Sequence, residues 1–522
     1  MSFERPTLPL PGRPPSYRSM LIADGVRTAK ARTPNKVALA QENRKFTYAQ
    51  IVDRFDRVST GALHDLRLKK GDHAALWAPN IMEFLEIVAG LSSIGAAPAM
   101  VPPGVTAREA EYICNDSQAK VLFVHESQEE KARSIKFATV ERIIVIGKDY
   151  EDWLMRAKPI MPTTPLEEWD VFCIPYTSGT TGNPKGCLLS HRSRVLAFYT
   201  MGSEFGCYSP DDRALATAPL YHGAGYVFAM APIFFGGFCE ILPRFDPELL
   251  LRKIDEMKLT NCFFVPTYFH RIFALGPKAL SRYSTKSLKT MISNAAPLLQ
   301  ATKEQIVGHF GGGLLHETYG STEGGLCTNL RPQDQLRKEQ CVGLPYPGVE
   351  IKILREDGQA AGPNEVGELF TRSPLGFNAY WRNEKATAEA YTAEGWLTVG
   401  DMGKLDEEGY LYIVDRKKDM VITGGVNVFP REIEEILQHH PAVAEVAVIG
   451  VPDPEWGEAV KAVVVRRPGE TIAADGLENY CKEQLAKFKV PKEFIFIDAL
   501  PRNAAGKILK RELRDRAKVG KL

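Results

Sequence analysis

A loop rich in glycine and hydroxyl residues follows the apolar run Val171 to Pro175, and its residue types suit a phosphate group. The loop reads Tyr176-Thr177-Ser178-Gly179-Thr180-Thr181-Gly182-Asn183-Pro184-Lys185-Gly186. Its glycines allow backbone angles at which consecutive N–H groups turn inward and form an anion-binding concavity. Its hydroxyls add hydrogen-bond donors, and Lys185 adds a positive charge. The pattern therefore predicts a strand that leads into a phosphate-binding loop.

This loop differs from a Walker A sequence, which has four residues between its glycines and ends in Gly-Lys-Ser/Thr. Here only two residues separate Gly179 from Gly182, and Lys185 follows Pro184. A P-loop kinase is therefore disfavoured. The alternative is a surface turn of small polar residues, against which the unbroken run of fitting residues after a strand argues.

A second candidate site is the run Thr318-Tyr319-Gly320-Ser321-Thr322-Glu323-Gly324. An aromatic ring can stack on a base, and a threonine hydroxyl can bond a phosphate. A carboxylate beside them can hold Mg²⁺, which prefers oxygen ligands and retains several waters. All three roles suit ATP.

Two further runs carry charged groups that could bind or act on a nucleotide. Asp401 ends the run Trp396-Leu-Thr-Val-Gly-Asp, and a carboxylate beside glycine can accept both ribose hydroxyls, with Arg416 as a nearby donor. Lys507 ends the run Pro501-Arg-Asn-Ala-Ala-Gly-Lys. An exposed turn with a solvated lysine is the structural alternative there.

Taken together, these runs resemble the signature sequences of the acyl-adenylate-forming superfamily, which contains acyl-CoA synthetases, aryl-CoA ligases, luciferases and nonribosomal adenylation domains. The resemblance extends from Tyr48 to Arg511, with the motifs in family order. It implies contacts with ATP or coenzyme A for Thr177, Ser178, Gly179, Thr180, Thr181, Gly182, Lys185, Ala295, Ala296, Pro297, Glu317, Thr318, Tyr319, Gly320, Asp401, Arg416, Gly424 and Gly425.

Individual roles follow from the same resemblance. Lys185 is expected to hold the β- and γ-phosphates and to release them as pyrophosphate, and Tyr319 is expected to pack on adenine. Thr322 is implied to meet the α-phosphate, and Glu323 is implied to bind Mg²⁺. Asp401 and Arg416 match the ribose ligands, although the usual Thr-Gly-Asp reads Val-Gly-Asp here.

The resemblance makes Lys507 the strongest catalytic candidate, because the matching lysine bridges the carboxylate and the α-phosphate as the acyl-adenylate forms. A cation aimed at developing negative charge is worth several powers of ten in rate, roughly 3–5 kcal/mol of barrier. Lys418 matches the hinge about which the C-terminal domain of relatives rotates. That rotation would withdraw Lys507 and bring Gly424 and Gly425 in to line a pantetheine tunnel.

The acyl pocket has the least explicit sequence signal. The run Pro219-Leu-Tyr-His-Gly-Ala-Gly225 resembles the family segment that closes over the carboxylate, so His222 is a candidate gate and catalytic residue, with a structural histidine as the rival interpretation. Apolar walls are expected from Tyr226, Phe228, Thr267 and Tyr268. Asn294 replaces a family glycine before Ala295, and it could narrow the pocket or add a polar contact. The predicted pocket residues are His222, Tyr226, Phe228, Thr267, Tyr268 and Asn294.

Composition sets the class of protein that must position these groups. A chain of 522 residues and 58.0 kDa predicts one large domain and a smaller one. Its net charge of +1 gives no global attraction to nucleic acid or anionic membrane. The nine cysteines lack metal-ligand spacing, so we expect free, mostly buried thiols in the cytoplasm. Neither the proline-rich stretch 1–19 nor the apolar stretch 227–242 predicts a signal peptide or membrane span.

Helical and strand patterns alternate through the first four fifths of the chain, which predicts an α/β fold. The predicted elements are a helix over Tyr48–Leu66, a strand over Ala74–Trp77, a helix over Met82–Ile94, and strands over Val121–Val124 and Ile143–Ile146.

An internal repeat is also visible. Gly95 to Pro102 and Gly236 to Pro243 are equally long, and strands end at equal distances after them, at Val124 and Val265. This indicates duplicated β-α-β units with ligand at the carboxyl ends of their strands, although chance similarity is the alternative.

The charged run Asp415-Arg-Lys-Lys-Asp419 interrupts two apolar strands, as a solvated linker would. We therefore predict an N-terminal AMP-binding and acyl-binding domain at 1–415, a hinge at 416–418 and a C-terminal domain at 419–522. The predicted fold is α/β: a large N-terminal domain of stacked α/β subdomains with a small β-barrel-like subdomain, and a smaller mobile α+β C-terminal domain carrying Lys507.

The resemblance implies an acid–thiol ligase that uses ATP, Mg²⁺ and coenzyme A to activate a carboxylic acid as acyl-AMP and transfer it to the CoA thiol. A free-standing adenylation enzyme loading a separate carrier protein, a luciferase-like oxidase and a non-catalytic nucleotide sensor are the alternatives, and a sensor would not need Lys507. The acid stays open among short, medium-chain, aromatic and alicyclic carboxylates. A homodimer also stays open, as does acetylation of Lys507 by a lysine acetyltransferase, which would remove its charge.

Overall fold

A computed structural model describes residues 17–177, 183–424, 426–502 and 508–522. The chain divides into two compact units. The first comprises residues 17–350 together with Thr371–Leu397, and the second comprises Ile351–Phe370 together with Thr398–Leu522. The charged run 415–419 lies inside the second unit. The domain boundary and the hinge expected at this run stay predictions.

The α-helices of the first unit are α1 (Ile22–Arg32), α2 (Tyr48–His64), α3 (Met82–Ser92), α4 (Ala107–Asp116), α5 (Glu129–Arg133), α6 (Asp149–Arg156), α7 (His191–Phe205), α8 (Gly223–Phe234), α9 (Pro247–Met257), α10 (Pro266–Phe273), α11 (Pro277–Leu280), α12 (Gln300–Phe310) and α13 (Glu384–Ala390). Short 3₁₀ turns lie at Glu126–Gln128 and Pro332–Asp334. Capping explains several helix starts. Thr47 and Gln50 form a capping box at α2, and Ser190 accepts from the Ser193 N–H at α7.

Most strands of the first unit are β1 (Val37–Gln41), β2 (Arg44–Thr47), β3 (His73–Trp77), β4 (Ala97–Val101), β5 (Ala119–His125), β6 (Arg142–Ile146), β7 (Val171–Thr177), β8 (Lys185–Ser190), β9 (Arg213–Ala216), β10 (Phe238–Ile241), β11 (Asn261–Phe264), β12 (Thr290–Ser293), β13 (Leu315–Ser321), β14 (Gly325–Leu330) and β15 (Leu344–Pro345). A further strand of this unit is β18 (Ala379–Tyr380), which follows β16 (Glu350–Leu354) and β17 (Gly367–Arg372) in the chain.

These strands form two sheets. One has the order β18-β8-β7-β4-β3-β5-β6, and the other has the order β15-β14-β13-β12-β11-β9-β10-β1-β2. The alternating helix and strand pattern is confirmed, with the predicted elements within a few residues of their observed ends.

The predicted repeat is confirmed as a repeat of topology. β3-α3-β4-α4-β5 in one sheet corresponds to β9-α8-β10-α9-β11 in the other, and in each case the first strand lies between the other two. The marker glycines Gly95 and Gly236 both have positive φ, at 73° and 92°, directly before β4 and β10. A residue with a side chain would be strained at these turns.

The helices of the repeat are buried. Every residue of α3 is buried, as is α8 from Gly225 to Phe234, and both helices contact α1. α8 is apolar all round, as a core helix should be, whereas α3 also buries two glutamates, which pair with Arg44 and Arg54. His191 at the start of α7 is buried, and its Nδ1 accepts a hydrogen bond from the Ile22 N–H at 3.3 Å. His191 therefore has a structural role: it ties the start of α7 to the start of α1.

The second unit contains two sheets. Their strands are β16 (Glu350–Leu354), β17 (Gly367–Arg372), β19 (Asp401–Leu405), β20 (Leu411–Arg416), β21 (Val421–Thr423), β22 (Val426–Val428), β23 (Val443–Asp453), β24 (Gly457–Arg466) and β25 (Glu493–Phe496). The strand orders are β16-β17-β19-β20 and β22-β21-β24-β23, with β25 beside β24. Its helices are α14 (Pro430–Gln438), α15 (Ala474–Gln484) and α16 (Lys510–Lys518), with a 3₁₀ turn at Lys487–Lys489. The first sheet corresponds to the small β subdomain and the second to the α+β domain.

All nine cysteines are buried thiols that form no disulfide, as their spacing predicted. Burial raises the pKa of several of these thiols, for example that of Cys481 to about 11. No helix among the described residues has both the length and the apolarity needed to cross a bilayer. A cytoplasmic location stays a prediction.

Candidate active site

The predicted phosphate loop connects two antiparallel strands, β7 and β8. Thr177 at the end of β7 pairs with Lys185 at the start of β8, so the two ends of the loop are adjacent. A Walker A loop leads from a strand into a helix, and this topology agrees with the exclusion of that motif. Ser178, Gly179, Thr180, Thr181 and Gly182 lie outside the described residues, and their phosphate contacts stay predictions.

Glu323 lies in the turn between β13 and β14, and it is 9% exposed. Its Oε1 accepts hydrogen bonds from the Tyr380 hydroxyl at 2.8 Å and from Thr177 Oγ1 at 3.2 Å. Cys187 Sγ approaches the same oxygen at 3.7 Å. The structure thus brings together the end of β7, the β13–β14 turn and the short strand β18, which are far apart in sequence.

The donor arrangement at Glu323 fits a magnesium ligand. Among the described residues, all hydrogen bonds to the carboxylate end on Oε1, which leaves Oε2 for a cation. No group of three or more His, Cys, Asp or Glu within the described ranges could hold a metal by itself. One carboxylate is nevertheless enough where substrate phosphates and water supply the other oxygens of Mg²⁺.

Lys185 lies beside this carboxylate network. Its Nζ is 4.3 Å from the centroid of the Tyr380 ring, a cation–π contact. In the part of the chain that the structure describes, no acidic group forms an ion pair with Lys185, so its charge is available to an anion. Burial and the negative charge of Glu323 raise the pKa of Tyr380, which keeps its hydroxyl protonated as a donor.

Thr322 is held by a buried arginine. Arg194 on α7 is 5% exposed, and its Nη2 donates to the Thr322 carbonyl at 3.1 Å. Burial lowers the pKa of Arg194. The sequence analysis missed both Arg194 and Tyr380. Arg194 could have been recognised in the sequence as a charged residue among the apolar positions of a helix. No pattern in the neighbouring sequence distinguishes Tyr380.

The side chains of Glu317 and Thr318 on β13 bond within the protein. Glu317 pairs with Lys303 at 2.5 Å, and both side chains are almost completely buried. Thr318 Oγ1 donates to the Thr328 carbonyl and accepts from the Tyr346 hydroxyl, each at 2.9 Å. Their predicted nucleotide contacts are not tested by these bonds and stay predictions.

The next residues of β13 are more accessible. Tyr319 and Gly320 are half-buried, and the predicted stacking of Tyr319 on adenine stays a prediction. At Gly320, a Cβ atom would lie 2.2 Å from the Gly325 carbonyl oxygen. Only glycine therefore allows β14 to approach β13 this closely.

Asn294 fastens the end of β12 to β13. Its Nδ2 donates to the Thr318 carbonyl at 2.7 Å, and its Oδ1 accepts from the Ala295 N–H. Ala295 has a φ of 76°, a left-handed conformation that is strained for alanine. The amide that replaces the family glycine thus bonds the backbone, while Ala295, Ala296 and Pro297 are exposed.

His222, the predicted acyl gate, is exposed and precedes α8 as its N-cap residue. Gly225, in the first turn of α8, packs directly on the turn before His222, since a Cβ at Gly225 would lie 2.0 Å from the Pro219 carbonyl oxygen. The buried Asn80 donates to the Ala218 carbonyl at 3.0 Å and accepts from the Leu220 N–H at 2.9 Å. This turn is therefore held from both sides, and His222 follows it at a fixed position.

The predicted pocket walls have different environments. Phe228 is buried and stacks on Phe263 with ring centroids 4.0 Å apart. Tyr268 stacks on Phe245 at 3.7 Å. Tyr226 is fully buried, whereas Thr267 is exposed. Their contact with an acyl group stays a prediction.

In the second unit, Asp401 and Arg416 face each other across β19 and β20. Arg416 Nε lies 2.5 Å from Asp401 Oδ1, and Asp401 is 3% exposed. The predicted ribose pair is therefore assembled within this unit. Lys507, the predicted catalytic residue, lies outside the described residues, as does Gly425.

Lys418, the predicted hinge residue, has an exposed surface, yet chain atoms close to its ammonium lower its pKa by desolvation. Asp419 opposes this shift, and the neighbouring Arg416 adds to it. Gly424 has a φ of 57°, and a Cβ there would lie 3.1 Å from the Trp456 ring. A residue with a side chain would therefore be strained at this end of the predicted pantetheine loop unless the Trp456 ring moved.

Lys417 and Lys418 in the predicted hinge run are exposed, while several side chains of the run form hydrogen bonds or ion pairs within the second unit. Asp415 accepts from the Arg431 N–H at 2.9 Å, which caps the first turn of α14. Lys417 pairs with Glu368 at 2.7 Å, and Asp419 pairs with Arg514.

Comparisons with known proteins agree with this geometry. A family model described as AMP-binding enzyme matches residues 26–381, and one described as AMP-binding enzyme C-terminal domain matches residues 432–507. The chain is 32% identical over 545 residues to the long-chain-fatty-acid–CoA ligase of Bacillus subtilis (strain 168), covering 97% of this chain and 95% of that protein. It is 34% identical over 493 residues to the 2-succinylbenzoate–CoA ligase of Geobacillus kaustophilus (strain HTA426), covering 92% and 95%.

A similar solved structure is the ATP-bound crystal structure of MatB from Rhodopseudomonas palustris. It is 32% identical, with a TM-score of 0.89, and the match covers 97% of this chain and 100% of that one. The two family models match in the order expected for a large nucleotide-binding domain followed by a smaller C-terminal one. The chain belongs to the AMP-binding enzyme family, as its loop, its Glu323 turn and its C-terminal motif predicted.

Proposed function

We propose that this protein is an ATP-dependent acid–CoA ligase that activates a carboxylic acid as acyl-AMP and transfers the acyl group to coenzyme A. The observation that carries the proposal is the network in which Thr177, at the entrance of the phosphate loop, and Tyr380 both donate to Glu323 Oε1. This network sets a buried carboxylate beside Lys185, with which no acidic group of the described residues forms an ion pair. The names of the two CoA ligases above support the same reaction.

ATP, Mg²⁺ and coenzyme A are the ligands that go with this family. Glu323 would hold Mg²⁺ through Oε2, where the ion would neutralise charge on the triphosphate. Lys185 would bind the phosphates that leave as pyrophosphate, and the Tyr319 ring would stack on adenine. The pair Asp401 and Arg416 would bind the ribose.

Two displacements at different centres make up the reaction. A carboxylate oxygen of the acid attacks the α-phosphorus of ATP, and pyrophosphate leaves as the acyl–AMP bond forms. The thiolate of coenzyme A then attacks the acyl carbonyl carbon, and AMP leaves. Lys507 would stabilise the negative charge that develops in the first step, which is worth roughly 3–5 kcal/mol of barrier.

The acid is proposed to have an apolar body. Aromatic side chains dominate the predicted pocket, with Tyr226 and Phe228 on α8 and Tyr268 on α10, and His222 is the polar residue at the head of α8. Such a lining favours aliphatic or aromatic acids over small polar ones. The similarity to one fatty-acid ligase and one 2-succinylbenzoate ligase supports this breadth.

A screen of carboxylic acids for CoA-dependent AMP formation tests the function. Short, medium-chain, aromatic and alicyclic acids are each added with ATP and Mg²⁺, with and without coenzyme A. We expect at least one class to give AMP, pyrophosphate and a thioester in equal amounts. Acyl-AMP that is not consumed by coenzyme A would instead indicate a carrier protein as acceptor, and oxidation of the adenylate by oxygen would indicate luciferase-type chemistry.

Two proposals concern partners. Acetylation of Lys507 by an acetyltransferase would remove the positive charge of this lysine and stop adenylation. Mass spectrometry that finds Lys507 unmodified in inactivated enzyme would count against this proposal.

The second proposal is a homodimer. Sedimentation at working concentrations that gives only a 58.0 kDa species would contradict it.

A further inference from the structure

Tyr380 contacts two groups that the proposed function assigns to Mg·ATP. Its hydroxyl donates to Glu323 Oε1 at 2.8 Å, and its ring lies 4.3 Å from Lys185 Nζ. One side chain therefore links the predicted metal ligand to the lysine of the phosphate loop. Tyr380 is 8% exposed, so both contacts are shielded from water, which strengthens them.

The backbone holds Tyr380 in place on both sides. Strand β18 pairs with β8, with Tyr380 opposite Cys187, and the Trp381 N–H donates to the Gly186 carbonyl at 2.8 Å. The Tyr380 N–H donates to Thr387 Oγ1 at 3.0 Å. β18 is thus an added edge strand whose attachment places one phenol directly beside the phosphate loop.

Trp381 secures the same segment from the other side. Its Nε1 donates to the Asp116 carbonyl at 2.8 Å, and its ring packs edge-on against His73 with centroids 4.5 Å apart. The Tyr380 side chain, in a segment anchored in this way, can hold the two charged side chains at a fixed separation. Ordering Glu323 and Lys185 before ATP arrives lowers the entropic cost of binding it.

The hydroxyl and the ring have separable consequences. The hydroxyl occupies Oε1 of Glu323 together with Thr177, so the carboxylate presents Oε2 in one orientation. The ring holds the Lys185 ammonium without neutralising it, because a π face attracts a cation but carries no net charge. An acidic partner would instead compete with phosphate for that lysine.

We propose that Tyr380 is a positioning residue for Mg·ATP, its hydroxyl orienting Glu323 toward the metal and its ring holding Lys185 for the phosphates. This inference rests on the proposed function, since it takes the metal and phosphate roles from it. It adds a residue that no motif in the sequence marked.

The test measures ATP binding by isothermal titration calorimetry, with Mg²⁺ and with EDTA, to the full-length protein. Tyr380→Phe keeps the ring and removes the hydroxyl, so we expect Mg·ATP to bind about tenfold more weakly while metal-free ATP binds as before. Tyr380→Leu removes both contacts, and metal-free ATP should then also bind a few-fold more weakly. The Mg²⁺ concentration giving half-maximal activity should rise for Tyr380→Phe in parallel.

Tyr391→Phe is the matched control. Tyr391 is a half-buried tyrosine of the same region whose hydroxyl donates to the Phe377 carbonyl at 3.1 Å, and among the described residues no hydrogen bond joins it to Glu323 or Lys185. We expect this variant to bind ATP like the unmodified protein under both conditions. Melting temperatures of the ligand-free variants identify any that fail to fold, and Tyr380→Phe, which keeps the packing, is the variant that decides.

Equal binding of Mg·ATP by Tyr380→Phe and the unmodified protein would overturn the inference. So would equal weakening with and without Mg²⁺, or the same loss in Tyr391→Phe, because each would indicate a general structural role. If the unmodified protein bound no ATP, the proposed function itself would fail. If it bound ATP and formed AMP while Tyr380→Phe matched it throughout, only the role of Tyr380 would fail.

Discussion

Removing Lys303 should destabilise the first unit strongly, because it would leave Glu317 as an unpaired buried charge. Lys303 is fully buried, Glu317 is 6% exposed at its side chain, and Nζ lies 2.5 Å from Oε2. Oε2 accepts no hydrogen bond from the described residues, so its attraction to the ammonium is that of an ion pair. The Leu298 N–H adds a bond to Oε1 at 3.3 Å, and Lys303 reaches the Cys341 carbonyl at 3.5 Å.

Breaking a buried pair by deleting one partner costs about 3–5 kcal/mol, whereas replacing both partners by apolar groups of similar volume is often neutral. Lys303→Met should therefore cost about 3–5 kcal/mol, and Glu317→Met should cost a similar amount. The double variant should regain most of this loss. The coupling between the two sites should thus be large and of opposite sign to the single losses.

The assay is urea unfolding of the four proteins, followed by tryptophan fluorescence and far-UV circular dichroism. The transition of the first unit is fitted separately, because a chain with two compact units need not unfold in one step. A loss below about 1 kcal/mol for Lys303→Met would refute the reasoning, and so would a double variant as unstable as the sum of the singles. ATP affinity of Glu317→Met, measured alongside, decides whether the predicted nucleotide contact of Glu317 exists.

Burial lowers the pKa of His316 to about 4. Between that value and the unfolded value of about 6.5 only the unfolded chain binds the proton, so stability should fall by up to about 3 kcal/mol as the pH drops through this window. His316→Asn should flatten this slope in urea midpoints, and an unchanged slope would contradict the assignment. Gly424→Ala should slow thioester formation about tenfold, because its Cβ meets the Trp456 ring, while acid-dependent pyrophosphate release stays unchanged. Equal loss of both half-reactions would argue against a role confined to thiolation. A thiol reagent should titrate the nine cysteines only after unfolding, and rapid reaction of the native protein would contradict their burial.

Much of the fold could be predicted because its signals are local. The amphipathic run from Tyr48 predicted α2, and Thr47 with Gln50 supplies the capping box that starts it. The equal spacing of the segments that begin at Gly95 and Gly236 predicted the repeated topology. In the structure both glycines have positive φ just before a strand. The residues of the phosphate loop and of the Glu323 turn were found for the same reason.

Contacts between distant segments could not be predicted. Tyr380 reaches Glu323 and Lys185 only because β18 joins the edge of β8, and a two-residue strand leaves no periodic pattern. The Lys303–Glu317 pair joins a helix to a strand, and neither residue differs by type from a solvated surface charge. The charged run near the hinge is tied down by Arg431, Glu368 and Arg514, and these partners are invisible in its composition.

Acid-dependent exchange of pyrophosphate into ATP, without coenzyme A, tests the central claim most directly. The unmodified protein should exchange pyrophosphate only when a substrate acid is present, and Lys507→Ala should lose this exchange by several powers of ten. ATP binding by the variant should persist, which separates a lost catalytic cation from a lost fold. Full exchange in Lys507→Ala, or exchange that requires coenzyme A, would contradict adenylation as the first step.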